Sequence, residues 1–196
     1  QGSPIVVTDG GHAQAEAFRI LRTNMAFMKR KEQDLKVITF TSFNESAGKT
    51  FVSSNLAVSF ALAKKKTIVV DLDIRKGTLS KYFGGRNATG VTIYLYDPEV
   101  RLEDIIQKTE KFENLDFIPA GSKAPNPAEL LASEDMGDLL DALAVKYDYV
   151  ICDTAPVNAV ADTSILCRFV DGVILVVSHN EVTRNTVLLA KEQLEN

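Results

Sequence analysis

Val37-Ile-Thr-Phe-Thr-Ser-Phe-Asn-Glu-Ser-Ala-Gly-Lys-Thr50 is the stretch that decides the fold. It begins with alternating bulky residues typical of a strand, continues into a short polar loop, and ends in Gly48-Lys49-Thr50, where an apolar helical pattern starts. This strand–loop–helix order is the context of a P-loop, in which backbone N–H groups and the helix dipole hold a phosphate chain. We therefore predict that the loop binds a nucleotide.

The residue types in this loop suit particular roles. Lys49 can reach the β- and γ-phosphates, and the Thr50 hydroxyl can bind Mg²⁺. The predicted phosphate-binding backbone comprises Ser46, Ala47, Gly48, Lys49, Thr50 and Phe51. One departure is Phe43, which stands where the pattern G-x-x-x-x-G-K-[ST] has its first glycine. The alternative interpretation is an ordinary strand–turn–helix in which Gly48 only relieves backbone strain.

The composition is that of a globular protein. With 196 residues, 45% apolar and 24% charged, the chain is expected to form one compact domain, here taken as residues 4–196. A net charge of −4 argues against non-specific nucleic-acid binding as the main task. Cys152 and Cys167 are expected to be reduced core residues. No apolar run approaches the roughly 18 residues of a membrane span. Residues 1–3 are interpreted as a cloning remnant.

Periodicity predicts a doubly wound α/β fold. Strands are predicted at 36–41, 67–72, 115–118, 148–153 and 172–177, and helices at 13–30, 49–64, 127–146, 159–169 and 183–195. The second, fourth and fifth strands are apolar on both faces, which favours a mainly parallel sheet covered by helices on each side. Asn126 is predicted to cap the helix that begins at Pro127, and residues 84–112 are expected to be irregular with a short helix at 102–107.

Two of these strands end in aspartate. Asp71 and Asp73 close one strand, and Asp153 closes another. Carboxyl ends of parallel strands form the ligand-binding edge, and alternation should point Asp71 and Asp73 the same way, toward the P-loop. Such carboxylates can order the surroundings of Mg²⁺ and accept a proton from an attacking hydroxyl. The alternative is that each Asp only caps the turn that follows it.

These motifs resemble the bacterial tyrosine kinases of capsule and exopolysaccharide synthesis, P-loop proteins akin to the MinD and ParA ATPases. The family has a Walker A loop, a second motif of the form apolar-apolar-apolar-D-x-D-x-R and a Walker B aspartate. In this chain the matching stretches are Ser42–Thr50, Ile68–Arg75 and Val150–Asp153. Family members tend to lack the first Walker A glycine, so Phe43 agrees with the resemblance.

Two further stretches extend the resemblance over nearly the whole chain. Glu16, Arg19 and Arg22 resemble the E-x-x-R-x-x-R signature of an N-terminal helix that mediates ring assembly in the family. Residues 119–131 resemble the segment G-x-x-P-P-N-P-x-E-L-L, with Lys123-Ala124 ahead of a single Pro125. From the residues alone, a solvated helix face with a weak Glu16–Arg19 pair is the alternative for the first stretch.

The resemblance implies ATP- and Mg²⁺-dependent phosphorylation of tyrosine. It assigns catalysis to Lys49, Asp71, Asp73 and Asp153, with Thr50, Asp73 and Asp153 around the metal and Asp71 as the base, although Asp71 and Asp73 could exchange roles. Tyrosine-rich tails would be phosphorylated by a neighbouring subunit of a ring, at the cytoplasmic face of the bacterial inner membrane. A membrane-bound chain-length regulator, fused or separate, a tyrosine phosphatase and polysaccharide-synthesis proteins are the implied partners.

Some features depart from the family pattern. This sequence contains neither the tyrosine-rich tail nor the membrane region of the family pattern, and its five tyrosines are scattered. Asp153-Thr-Ala-Pro replaces the usual D-T-P-P. Two alternatives stay open: a MinD- or ParA-like switch ATPase, against which Asn44 argues because those relatives carry a lysine there, and a catalytically idle scaffold for polysaccharide export.

Overall fold

A central six-stranded sheet organises the chain. The computed structural model describes residues 5–8, 13–30, 33–86, 88–157, 161–179 and 182–195. In chain order the strands are β1 Lys29–Arg30, β2 Gln33–Asp34, β3 Val37–Ser42, β4 Thr67–Asp71, β5 Gln107–Lys108, β6 Leu115–Ile118, β7 Tyr149–Asp153 and β8 Gly172–Val176. The sheet order is β5-β6-β4-β7-β3-β8, with β5 antiparallel and the other five parallel, while β1 and β2 form a separate small hairpin.

Helices cover both faces of this sheet, which confirms the predicted fold class. They are α1 Ala13–Ala26, α2 Lys49–Leu62, α3 Ser80–Phe83, α4 Val91–Tyr96, α5 Leu102–Ile105, α6 Pro127–Leu131, α7 Glu134–Lys146, α8 Asp162–Leu166 and α9 Arg184–Glu195, with a 3₁₀ turn at Cys167–Phe169. One core lies under α1 and α2, where Phe18, Leu56 and Phe60 are buried, and another lies under α7, where Leu139 and Leu143 are buried. Each face thus has its own hydrophobic layer, as a doubly wound sheet requires.

The strand register brings the functional ends together. Asp153 at the end of β7 lies opposite Asp71 of β4 on one side and opposite Phe40 of β3 on the other. The P-loop leaves β3 two residues further on, so all three strands deliver their ends to one edge of the sheet. Ligands of open parallel sheets bind at this edge.

Several predicted helix boundaries are wrong. The helix predicted over 13–30 ends at Ala26, because residues 29–30 pair with 33–34. The helix predicted over 127–146 is broken between α6 and α7, where the Ser133 hydroxyl accepts a hydrogen bond from the Met136 amide and caps α7. Asn126 does not cap α6, since its Nδ2 donates to Glu129 Oε2 at 2.9 Å. For the helix predicted from 159, residues 158–160 lie outside the described chain, and α8 begins at Asp162.

The sheet edges also differ from expectation. Sequence patterning did not predict β5, α3 or α4, and the short helix predicted at 102–107 ends at Ile105 because Gln107 and Lys108 join the sheet. The strand β8 is only half-buried along its length because it is an edge strand. Both cysteines are free; Cys152 is buried in the core as expected, whereas Cys167 is partly exposed and is not the core residue that was expected. Among the described residues, no helix has the length and apolar character needed to cross a membrane.

Candidate active site

The loop between β3 and α2 has a conformation that suits its sequence. Ser46 and Gly48 have positive φ angles, 66° and 85°, whereas Phe43 does not. The position of the missing first glycine therefore makes no demand for a left-handed backbone, which explains why Phe43 is tolerated. At Gly48 an added Cβ would meet no atom within 4 Å, so the backbone angle and not lack of space is what favours glycine there.

A cleft of about 380 Å³ opens above this loop. All six predicted phosphate-binding residues, 46–51, line it, and Asp73 lines it as well. Gly48 and Lys49 stand at the start of α2, so the positive end of the helix dipole faces the cleft. The predicted loop residues are thus brought together around one space at the start of a helix.

Asp153 lies directly behind the cleft residues Lys49 and Thr50 and is fully buried, so it does not itself line the cleft. Its Oδ1 is 2.9 Å from the Lys49 ammonium and accepts a 3.3 Å hydrogen bond from Ser53, while its Oδ2 accepts a 2.6 Å bond from Thr50. Burial raises the pKa of this carboxyl, and the neighbouring Lys49 charge opposes that rise. Sequence reasoning missed Ser53, which lies one helical turn after Lys49 on the face toward β7.

Asp71 and Asp73 occupy different environments. Asp71 is fully buried, and its two oxygens accept backbone amide bonds from Asp73 at 3.2 Å and from Leu79 at 2.8 Å. Burial, together with the negative charge of Asp153, raises the pKa of Asp71 to about 7. Asp73 is in the cleft wall, and its amide donates to the Asp153 carbonyl. Both carboxylates were expected to face the P-loop. Asp73 lines the cleft beside this loop, whereas Asp71 does not.

The turn after Asp73 supplies charges whose roles were not predicted. Arg75 forms a bidentate ion pair with the buried carboxylate of Asp162 at the start of α8, with distances of 2.7 and 3.0 Å. Lys76 pairs with Glu45 of the P-loop, and Lys81 also lines the cleft. The sequence shows that Arg75 and Lys76 are adjacent, but not that they have different partners. Those partners, Asp162 and Glu45, lie in distant segments of the chain.

Comparison with known proteins decides the family. The family described as AAA domain matches residues 35–189. The tyrosine-protein kinase YwqD of Bacillus subtilis is 36% identical over 99% of this chain and 81% of its own length, and the putative tyrosine-protein kinase CapB of Staphylococcus aureus is 33% identical over 96% and 82%. The chain belongs to the bacterial tyrosine-protein kinases. The predicted family and enzyme class are therefore confirmed.

Solved structures agree with this assignment. The chimeric protein CapA2B2 superposes with a TM-score of 0.91 at 34% identity, covering 100% of this chain and 85% of the other. The kinase domain of the Escherichia coli tyrosine kinase ETK gives 0.90 at 32% identity, covering 100% and 77%. The MinD protein of Pyrococcus horikoshii, solved with Mg-ADP, gives 0.63 at 24% identity over 81% of this chain and 66% of its own, a likeness that shows the shared fold alone.

The predicted assembly residues of this kinase lie on α1 but do not form one free surface. Glu16 and Arg19 are more than half exposed and pair with each other at 2.6 Å. Arg22 instead donates a 2.7 Å hydrogen bond to the Ser59 carbonyl and a weaker one to its hydroxyl, tying α1 to α2. Arg22 thus has an intramolecular role that the sequence did not reveal.

Proposed function

We propose that this kinase transfers the γ-phosphoryl group of ATP to tyrosine hydroxyls of protein substrates. The observation that carries this is a cleft lined by Lys49, Thr50 and Asp73, with the buried Asp153 carboxylate bound directly to the Lys49 and Thr50 side chains. Phosphoryl transfer needs little covalent chemistry from a protein. Positioning and charge stabilisation supply most of its catalysis.

The cleft fits a magnesium-bound nucleotide. Backbone N–H groups of residues 46–51 and the Lys49 ammonium would hold the phosphates. Magnesium prefers hydroxyl and carboxylate oxygens together with substrate phosphates, and Thr50, Asp73 and Asp153 offer such oxygens. Among the described residues no group of three or more His, Cys, Asp or Glu forms a metal site on its own. This donor set agrees with an ion, Mg²⁺, that would neutralise phosphate charge and take part of its coordination from the nucleotide.

For the base that accepts the tyrosine proton we keep Asp71, and its surroundings support the choice. A general base works best when its pKa lies near the working pH, and burial brings the pKa of Asp71 to about 7. Asp71 is covered by the turn that runs from Asp73 to Leu79, so this turn must shift to admit a hydroxyl. Asp73 already lines the cleft and is the alternative base, with Asp71 then orienting it through the Asp73 amide.

A phosphorylation assay tests the proposal. The chain is incubated with Mg·ATP and a separate tyrosine-rich acceptor peptide, and phosphotyrosine is measured by mass spectrometry. We expect product with the parent and none with Lys49→Met, provided that circular dichroism shows the variant folded. Phosphotyrosine formed equally by a folded Lys49→Met variant would refute the assignment, and ATP hydrolysis without phosphotyrosine would favour the switch-ATPase alternative.

The assignment of the base has its own test. If Asp71 is the base, Asp71→Asn should abolish phosphotyrosine formation while leaving nucleotide affinity within about threefold. The parent's kcat/KM should rise with pH through about 7, because only the ionised carboxylate accepts a proton. A rate that stays high in Asp71→Asn and falls in Asp73→Asn, with nucleotide affinity kept, would transfer the role to Asp73.

Ring assembly, with tails phosphorylated in trans, is part of the proposal. Glu16 and Arg19 support it because both are exposed on α1, whereas substitution of Arg22 would also disturb α2. Arg19→Ala is therefore the cleaner variant, with Arg101→Ala as control, since Arg101 forms a similar exposed pair three residues apart with Asp104. Light scattering should show a smaller particle for Arg19→Ala alone, and an unchanged mass would refute its role in the interface.

The cellular role we propose is control of extracellular polysaccharide synthesis and export at the inner membrane. Support comes from the capsule-related name CapB among the relatives and from the structural match to a chimera, CapA2B2, whose name joins an A and a B component. A membrane-bound activator, a phosphatase and polysaccharide-synthesis proteins would be the partners. Co-expression of a candidate activator segment should increase phosphotyrosine, and no increase would count against that partner.

A further inference from the structure

The mouth of the cleft carries an ion pair distinct from the Lys49–Asp153 pair. The Lys76 ammonium is 2.6 Å from Glu45 Oε2, and both side chains line the cleft. Glu45 belongs to the P-loop, whereas Lys76 belongs to the turn after Asp73. The pair therefore joins the two segments that border the space for the phosphates.

The backbone of Lys76 is held by hydrogen bonds, whereas its ammonium group is held only by an exposed ion pair. The Lys76 amide donates to the carbonyl of Asp73 at 3.1 Å and to its Oδ1 at 3.3 Å, and the next amide, of Gly77, also bonds that carbonyl. The ammonium itself lies at the exposed end of the side chain, which is 51% exposed beside a Glu45 side chain that is 59% exposed. The backbone of Lys76 is thus held next to Asp73, while its ammonium group lies in a solvent-exposed ion pair at the cleft wall.

Of the two consecutive cations, only Lys76 is available to a ligand in the cleft. The Arg75 guanidinium is held by two hydrogen bonds to the buried Asp162, and Arg75 does not line the cleft. Glu45 is a weaker competitor for Lys76 than Asp162 is for Arg75, because exposed ion pairs are screened by water. A triphosphate carries several charges and accepts shorter, charge-assisted hydrogen bonds.

We propose that Lys76 is a second phosphate-binding cation of this kinase, exchanging its Glu45 partner for the terminal phosphate of ATP. The inference rests on the proposed function and adds to it a residue that distinguishes ATP from ADP. Lys76 faces the terminal phosphate because it is anchored beside Asp73, on the side where the acceptor hydroxyl must approach. Glu45 acts as the counter-ion that keeps Lys76 in the cleft between turnovers.

Calorimetric titration with ADP and with the non-hydrolysable β,γ-methylene analogue of ATP, both with Mg²⁺, tests this inference. Lys76→Met should weaken binding of the analogue about tenfold, the factor given by loss of one charge-assisted contact, and binding of ADP by less than about twofold. Glu45→Gln should tighten binding of the analogue about twofold by removing the competitor. In a Lys76→Met background, Glu45→Gln should not change the affinity for the analogue, because Glu45 affects binding only through its pairing with Lys76.

The chain provides a matched control. Lys146 and Glu103 form another surface pair of similar exposure, 41% and 61%, on α7 and α5, and neither residue lines the cleft. Lys146→Met and Glu103→Gln should leave both affinities unchanged, and Lys76→Arg should restore most of the binding lost in Lys76→Met.

The outcomes separate this inference from the proposed function. If the analogue binds the parent, fails to bind Lys49→Met and binds Lys76→Met as well as Lys146→Met, the role of Lys76 is refuted and the nucleotide site stands. If Lys76→Met weakens ADP and the analogue equally, recognition of the terminal phosphate is refuted. If the parent binds neither nucleotide, the proposed function itself fails.

Discussion

Replacing Asp71 with Asn should remove a loss of stability that the parent suffers as pH rises. Ionisation of most carboxylates stabilises the folded state, whereas ionisation of the buried Asp71 should destabilise it. The pKa of a buried Asp71 is about 7, against 3.8 for an ordinary aspartate. The unfolded chain releases this proton near pH 4, whereas the folded chain keeps it until about pH 7. The stability that comes from holding the proton is therefore complete below about pH 4, falls as pH rises, and is lost above about pH 7.

The size of the effect follows from the pKa difference. Within this window each pH unit costs the folded parent about 1.4 kcal/mol of unfolding free energy. Between about pH 5 and pH 8 the parent should lose about 2–3 kcal/mol that Asp71→Asn does not lose, because Asn has no proton to release. The substitution also replaces one of the two oxygens that accept backbone amide bonds by an NH₂ group. The stability lost with that hydrogen bond is the same at every pH. The pH slope is therefore the diagnostic quantity.

Urea unfolding at several pH values, without nucleotide or metal, measures this slope. Far-UV circular dichroism is the suitable signal, since the chain has no tryptophan. The control is Asp141→Asn, which removes an exposed carboxylate on α7 and should run parallel to the parent. If Asp71→Asn also runs parallel to the parent from about pH 5 to pH 8, the raised pKa of Asp71 and the argument built on it are refuted.

Three further predictions concern stability near neutral pH, each measured by urea unfolding. Lys49→Met should cost about 3–5 kcal/mol because it leaves the buried Asp153 charge unpaired, and adding Asp153→Asn should recover most of this; no recovery would contradict the pairing. Ser133→Ala should cost about 1 kcal/mol and Ser133→Asp much less, since Asp also caps a helix; equal losses would contradict the cap. Arg22→Ala should cost about 1–2 kcal/mol and Arg19→Ala under about 0.5, and the reverse order would contradict the α1–α2 contact.

The strands of the main sheet other than β5 are the elements predicted best from the sequence: β6 was predicted with the bounds observed, and β8, although only half-buried, to within one residue. The strands β3, β4 and β7 are apolar runs fully or almost fully buried in the sheet, and their predicted bounds are within one residue of those observed. The P-loop was also predictable, because Gly48-Lys49-Thr50 lies between a strand and a helix in any fold that uses it. In these places the residues alone specify the local structure.

The features that were missed depend on partners far away in the chain. The pairing of β5 with β6 is set by its position at the edge of the sheet, and two polar residues give no periodic signal. The break between α6 and α7 was hidden because Ala132 and Ser133 fit a helical pattern, and only the cap on Met136 shows the new start. Alternation placed Asp71 and Asp73 on one side, but the chain leaves the strand after Asp71, so the alternation of a strand no longer applies.

The distribution of charge behind the cleft links stability to the proposed chemistry. The Asp153 carboxylate contacts the Lys49 ammonium and the Thr50 hydroxyl directly, whereas the Asp71 carboxylate accepts two backbone amide bonds and faces the Asp153 charge, which the Lys49 charge offsets only in part. Burial raises the pKa of both carboxyl groups, and the pKa of Asp71 reaches about 7, so Asp71 keeps its proton up to about that pH. The same burial that weakens the fold above that pH creates a base that can lose and regain a proton in the neutral range. Between pH 5 and alkaline pH, Asp71→Asn should accordingly lose less unfolding free energy than the parent loses. The same variant should make no phosphotyrosine.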